Sequence, residues 1–195
     1  MFRGPGRGCT PLPGRPRAFR WEGPVRSGRE GGEMSDSVLN GKRLLAVDDE
    51  PDVLDALEEI VKADAPGCTL YKARSYEEAM RLLEELDFDL VVLDIMGVRG
   101  FDLLEEAVKR GLRVAMLTAH ALTPEALKRS YDLKARAFLP KEKLAEIVPF
   151  LEDVLTCDYE TGWKRLMRKL HAFFNARFVS DWEKKTGLEW KEWAK

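Results

Sequence analysis

Residues 91–94 read Val91-Val92-Leu93-Asp94, three apolar residues running straight into a carboxylate. An unbroken apolar run without polar alternation marks a strand buried on both faces, as in a parallel sheet covered by helices. Two similar runs lie on either side of it in the chain. Leu44-Leu45-Ala46-Val47 leads into Asp48-Asp49, and Ala137-Phe138-Leu139-Pro140 leads into Lys141. In open α/β sheets, ligands sit beyond the carboxyl ends of the strands. Three acids and one lysine, each just past a strand end, are therefore expected to converge on one crevice.

Working outward, residues 42–48 read as the first strand. Pro51 suits a first helical turn, with Asp49 or Glu50 placed to cap it. Val53, Leu57, Ile60 and Val61 then recur at helical spacing until Pro66-Gly67. Residues 69–73 form a second strand. Residues 75–86 form a helix, with Ser75 and Glu78 in a capping-box pattern. Residues 89–93 are the third strand, and Gly97 and Gly100 bracket the turn after Asp94. A helix over 101–110 stops at Gly111, and a fourth strand over 112–117 ends at Thr118-Ala119. Thr123-Pro124 opens a helix to about Leu133. Residues 135–139 make a fifth strand and 143–155 a fifth helix. Strand and helix thus alternate over residues 42–155, which predicts a doubly wound parallel sheet with helices on both faces.

The chain has 195 residues and a formal net charge of −2. The charge is uneven, because residues 1–33 carry seven arginines against three glutamates. The remainder is acidic, which argues against nucleic acid as its main ligand. Cys9, Cys68 and Cys157 are scattered with no metal-ligand spacing, which fits a reduced, cytoplasmic protein. No apolar run approaches the roughly 20 residues of a membrane span, so no membrane insertion is expected. Residues 1–40 read as a disordered arm or as an extension upstream of the true start, which Met34 would supply.

The acid pair Asp48-Asp49 after strand one, Asp94 after strand three, Thr118-Ala119 after strand four and Lys141 after strand five together resemble the receiver domain of two-component response regulators. The resemblance implies a flavodoxin-like five-stranded parallel sheet of order 2-1-3-4-5 over residues 41–156. It implies that Asp94 accepts a phosphoryl group from a sensor histidine kinase. It also implies a Mg²⁺ ion held by Asp48, Asp49, Asp94 and the main-chain carbonyl of Met96. Thr118 and Lys141 would contact the phosphoryl oxygens, and Phe138 would be the aromatic that changes rotamer between states. Two stretches depart from the family pattern. The loop Ile95-Met96-Gly97-Val98-Arg99-Gly100 is short and lacks the usual proline, and Lys141 is preceded rather than followed by proline.

Residues 157–195 form a helical C-terminal extension that matches no familiar output domain. Trp163, Leu166, Met167, Leu170, Phe173, Phe174 and Phe178 make an apolar stripe opposite a basic face. Trp182, Leu188, Trp190 and Trp193 follow in a shorter helical piece. The extension could pack back on the receiver, mediate self-dimerisation or dock a protein target, or bind nucleic acid or a membrane surface. His171 has no acidic or cysteine partner pattern and reads as surface or core. The expected function is a switch of protein–protein contacts through the fourth and fifth helices or the tail, not turnover of a small molecule. The rival readings are a transcription regulator whose tail binds DNA and a phosphorylation-independent pseudo-receiver.

Overall fold

The computed structural model describes residues 37–178 and 181–187. Its sheet has five parallel strands in the order β2-β1-β3-β4-β5, formed by Arg43–Val47 (β1), Thr69–Ala73 (β2), Leu90–Asp94 (β3), Arg113–Thr118 (β4) and Ala137–Pro140 (β5). Every residue of β3 and β5 is buried, whereas the edge strand β2 buries only Ala73 fully. Apolar runs therefore occupy the middle of the sheet, where both faces are covered. The chain leaves β1 toward β2 and then doubles back past it to β3. Beside that reversal the carboxyl ends of β1 and β3 lie together, with Val47 paired to Leu93.

Helices α1 (Pro51–Asp64) and α5 (Ile147–Thr156) pack on one another. Helices α2 (Tyr76–Glu85) and α3 (Gly100–Lys109) also meet, and Arg129 of α4 (Pro124–Asp132) lies 4.2 Å over the Phe101 ring of α3. Right-handed crossovers place these two groups on opposite faces of the sheet. The fold is the flavodoxin-like one expected.

Local chemistry sets most boundaries. The Ser75 hydroxyl accepts the Glu78 N–H at 3.2 Å, but Glu78 reaches past Ser75 to the Arg74 N–H at 2.8 Å, so the capping box closes one residue early. Thr123 caps α4 through the Ala126 N–H at 3.1 Å. At α1 the expected carboxylate cap is not made: Glu50 holds the N-cap position with no side-chain cap bond. The fifth helix also differs from expectation. A 3₁₀ segment, Lys141–Glu146, precedes it, and α5 starts only two residues before Pro149. Proline is tolerated in a first turn, whose N–H groups have no intrahelical partner, and breaks a helix further in.

Residues 37–40 belong to the fold, not to the leading arm with which the sequence grouped them. Leu39 is fully buried and the Ser37 hydroxyl donates to Glu152 of α5 at 2.7 Å. The arm over residues 1–33 lies outside the described residues, as do Leu188, Trp190 and Trp193.

The C-terminal extension packs back. Helix α6 (Tyr159–Arg177), capped by Asp158 through the Thr161 N–H at 2.9 Å, lies against β5 and α5, and α7 (Trp182–Thr186) lies against α4. Trp163, Leu166, Met167, Leu170, Phe174 and Phe178 are buried as the stripe predicts, with Phe173 only partly so. Indole Nε1 of Trp163 donates to the Ala135 carbonyl at 2.8 Å. Such a bond satisfies the one polar atom of a fully buried ring. On the outer side, Asp153 of α5 receives Arg165 at 2.7 Å and Lys169 at 2.8 Å. His171 is not partnerless as its sequence surroundings suggested, since its Nε2 meets Glu183 of α7 at 2.5 Å.

Candidate phosphoacceptor site

The crevice at the carboxyl ends of β1, β3 and β5 holds the expected acids and lysine. Asp48, Asp49 and Asp94 each offer a carboxylate oxygen, all within 4.8 Å of one another. Asp48 and Asp94 are buried at 2% and 5% exposure, while Asp49 is exposed. Lys141 enters from the end of β5, its Nζ 2.7 Å from Asp48 Oδ2, 2.8 Å from Glu50 Oε1 and 3.6 Å from Asp94 Oδ1. Thr118 ends β4 beside the end of β3, where Asp94 pairs with Leu117. Its hydroxyl is fully buried and accepts the Ala121 N–H at 3.1 Å.

Burial of charge dominates the electrostatics. It raises the Asp94 carboxyl to about 6, with Lys141 pulling it down and Asp48 and Asp49 pushing it up. Burial also raises Asp48, against the Lys141 ammonium and the Glu50 N–H, which donates to Oδ1 at 3.0 Å. Burial acts downward on Lys141, but bonds to Asp48 and Glu50 outweigh it and hold the ammonium above its usual range.

A divalent cation fits this donor set. All the candidate ligands are oxygens, as Mg²⁺ prefers. Close carboxylates repel unless a cation lies among them. The buried Asp48 Oδ2 has the Lys141 ammonium 2.7 Å away, while Asp49 is exposed. Met96 is exposed at 54%, and its carbonyl accepts the Val98 N–H at 2.8 Å, which leaves a second lone pair.

The short loop after β3 is moulded to the acids. Gly97 has φ +75°, and a Cβ there would stand 2.2 Å from Asp49 Oδ1. At Gly100 a Cβ would stand 1.9 Å from the Asp94 carbonyl oxygen. Val98 between them is fully buried and anchors the turn. Arg99 is left-handed at φ 55°, with its guanidinium against Asp102 at 2.7 Å and 4.3 Å over the Tyr76 ring.

The response regulator receiver domain family matches residues 44–151, more than half of the chain. This chain belongs to that family. It is a receiver of two-component signalling. It is similar to the two-component response regulator ARR18 of Arabidopsis thaliana, with 38% identity over 87 residues that cover 42% of this chain and 13% of that protein. The chain thus spans a small part of that relative's length. Among solved structures it is similar to the receiver domain of NtrX from Brucella abortus, at 28% identity and TM-score 0.52, covering 59% of this chain and 99% of that one. It is also similar to a two-component response regulator of the LuxR family from Aurantimonas sp. SI85-9A1, at 25% identity and TM-score 0.53, covering 58% and 84%. The family match ends at residue 151, before α6 begins.

Of the receiver residues expected from sequence, Asp48, Asp49, Asp94 and Lys141 meet directly. Phe138, the expected switch aromatic, precedes Lys141 by three residues. It is fully buried within β5, its ring 6.3 Å from that of Phe174 on α6. Sequence reasoning missed Glu50 as a partner of Lys141. The third of three consecutive acids before Pro51 was the available signal, but it read as a helix cap. No helix among the described residues is long and apolar enough to cross a membrane.

Proposed function

We propose that Asp94 accepts a phosphoryl group from the phosphohistidine of a sensor histidine kinase, in a Mg²⁺-dependent transfer. The observation that carries this reading is the approach of Lys141 Nζ to 3.6 Å from Asp94 Oδ1, within a cluster of three acids. In the transfer, a carboxylate oxygen of Asp94 forms the new P–O bond. The P–N bond of the phosphohistidine breaks, and its electron pair returns to the imidazole nitrogen. Asp94, raised to about 6, is chiefly the nucleophilic anion above that pH.

Phosphoryl transfer is promoted by positioning and by neutralising the equatorial oxygens. The Lys141 ammonium and the Thr118 hydroxyl serve that purpose on one side. Asp48, Asp49, Asp94 and the Met96 carbonyl would hold Mg²⁺ on the other, where the ion would neutralise phosphoryl charge. Lys141 leaves Glu50 to do this, and Thr118 Oγ1 donates to the phosphoryl group while its lone pairs remain open to Ala121. Phe138 changes rotamer only in concert with α6, which covers it. The protein is not an enzyme of small-molecule metabolism; any catalysis is of its own phosphorylation and dephosphorylation. Its setting is the cytoplasm, in keeping with free thiols at Cys68 and Cys157. The kinase is the upstream partner, and a protein target or second copy meets the tail and the exposed parts of α4 and α5.

Intact-mass spectrometry of the full chain with Mg²⁺ and acetyl phosphate tests the reading. One added phosphoryl group is expected in the parent, and none without Mg²⁺ or in Asp94→Ala. A parent that binds Mg²⁺ yet never gains the group would instead be a phosphorylation-independent interaction module.

A further inference from the structure

We propose that α6 and α7 are the read-out of the acidic site: docked on β5 and α4 they brace the resting arrangement, and phosphorylation of Asp94 loosens them. The inference rests on the reading of Asp94 as acceptor.

The tail touches the segments that leave the site. Glu142 directly follows Lys141, and Arg177 at the end of α6 meets it at 2.7 Å. Phe138, three residues before Lys141 on the same strand, lies beneath Phe174. On the other strand, Thr118 Oγ1 holds the Ala121 N–H, and the Ala121 carbonyl accepts the Thr123 N–H at 2.9 Å, which leads into α4. From α4, the Tyr131 carbonyl accepts the Tyr159 hydroxyl at 2.5 Å, and the Tyr131 ring stands edge-on to Trp163 at 5.2 Å. Lys141 is thus tied within three residues, and Thr118 through the length of α4, to ground on which the tail rests.

The direction follows from packing. Trp163 and Phe174 are fully buried in the resting arrangement. Close-packed interfaces respond to a shift beneath them by changing state rather than by stretching. Charge added at Asp94 draws Lys141 away from Glu50 and Thr118 toward the new oxygens. The end of β5 and helix α4 then move under a tail that is already packed on them, so contact is lost, not gained. By linkage, weakening the tail's hold favours the occupied site.

The test pairs intact mass with amide hydrogen exchange on one sample of the full chain, given Mg²⁺ and acetyl phosphate. With the phosphoryl adduct confirmed, α6 amides are expected to exchange roughly fivefold faster or more, the lower end of usual inter-site coupling, and Asp94→Ala is expected to show no change. Arg177→Ala removes the Glu142 pair, the contact of this side chain with the receiver, together with its place 5.4 Å over the Phe173 ring of α6 itself. It is expected to bind beryllofluoride, a stand-in for the phosphoryl group, more tightly by a similar factor. A confirmed adduct with α6 protection unchanged or increased overturns the inference and leaves the acceptor reading standing. Equal beryllofluoride affinity in parent and Arg177→Ala also counts against it. Absence of any adduct overturns both, and the mass spectrum tells the two failures apart.

Discussion

Lys141 is held by Asp48 and Glu50 and stands within reach of Asp94, so the resting site stores its cation among carboxylates. Asp94 is the costly member. Its carboxyl, ordinarily 3.8, is raised to about 6, chiefly by burial. Below about pH 3 it is chiefly protonated in folded and unfolded chains alike, and burial costs nothing electrostatic. As pH rises toward 6 the unfolded chain ionises first, and folding stability falls until the folded carboxyl has also ionised. Asp94→Asn is therefore expected to exceed the parent at pH 7.5 in chelator by on the order of 2 kcal/mol, or several degrees in Tm. The gap should close as pH falls toward about 3. Thermal unfolding across that range checks it, and equal Tm at pH 7.5 would contradict the burial argument.

Elements joined by the central strands form as their local signals direct, but α6 depends on what it packs against. Its apolar stripe buries Trp163 and Phe174 completely, and Phe174 stacks on Phe178 at 5.2 Å and contacts Trp182 at 6.1 Å. Truncating such an aromatic leaves a cavity that costs about 3–5 kcal/mol. Phe174→Ala is expected to lose that much in a urea titration. Arg168→Ala, on the exposed side, should stay within about 0.5 kcal/mol of the parent. A loss below about 1 kcal/mol for Phe174→Ala would mean that the tail does not contribute to the core.

For the whole molecule, ligand binding and folding are one equilibrium. A cation that binds the gathered acids and not the unfolded chain stabilises the fold by about 2.7 kcal/mol at a hundredfold excess over its Kd. Mg²⁺ is expected to raise Tm at neutral pH, chelator to reverse it, and Asp49→Asn to lose most of the gain. The same Mg²⁺ shift in Asp49→Asn as in the parent would place the cation elsewhere. The tail completes this unit, with α6 packed on β5 and α5 and α7 packed on α4.

The sheet and most of the crevice were legible in the sequence because their signals are local. Apolar runs such as Val91-Val92-Leu93 place strands in the middle of a parallel sheet. Ser75 and Thr123 mark helix starts, and an acid or lysine at a strand end needs only the strand to be positioned. Contacts between distant segments were decided by tertiary structure alone. Glu50 and Lys141 are 91 residues apart in the chain, and no periodicity signals that the Glu50 side chain, at the N-cap of α1, turns to the lysine instead of capping the helix. Likewise an aromatic stripe announces that α6 buries one face, but not which surface receives it. That choice, which sets Phe174 on Phe138 and Arg177 on Glu142, depends on the shape and charge of a surface that exists only after β4, α4, β5 and α5 have assembled.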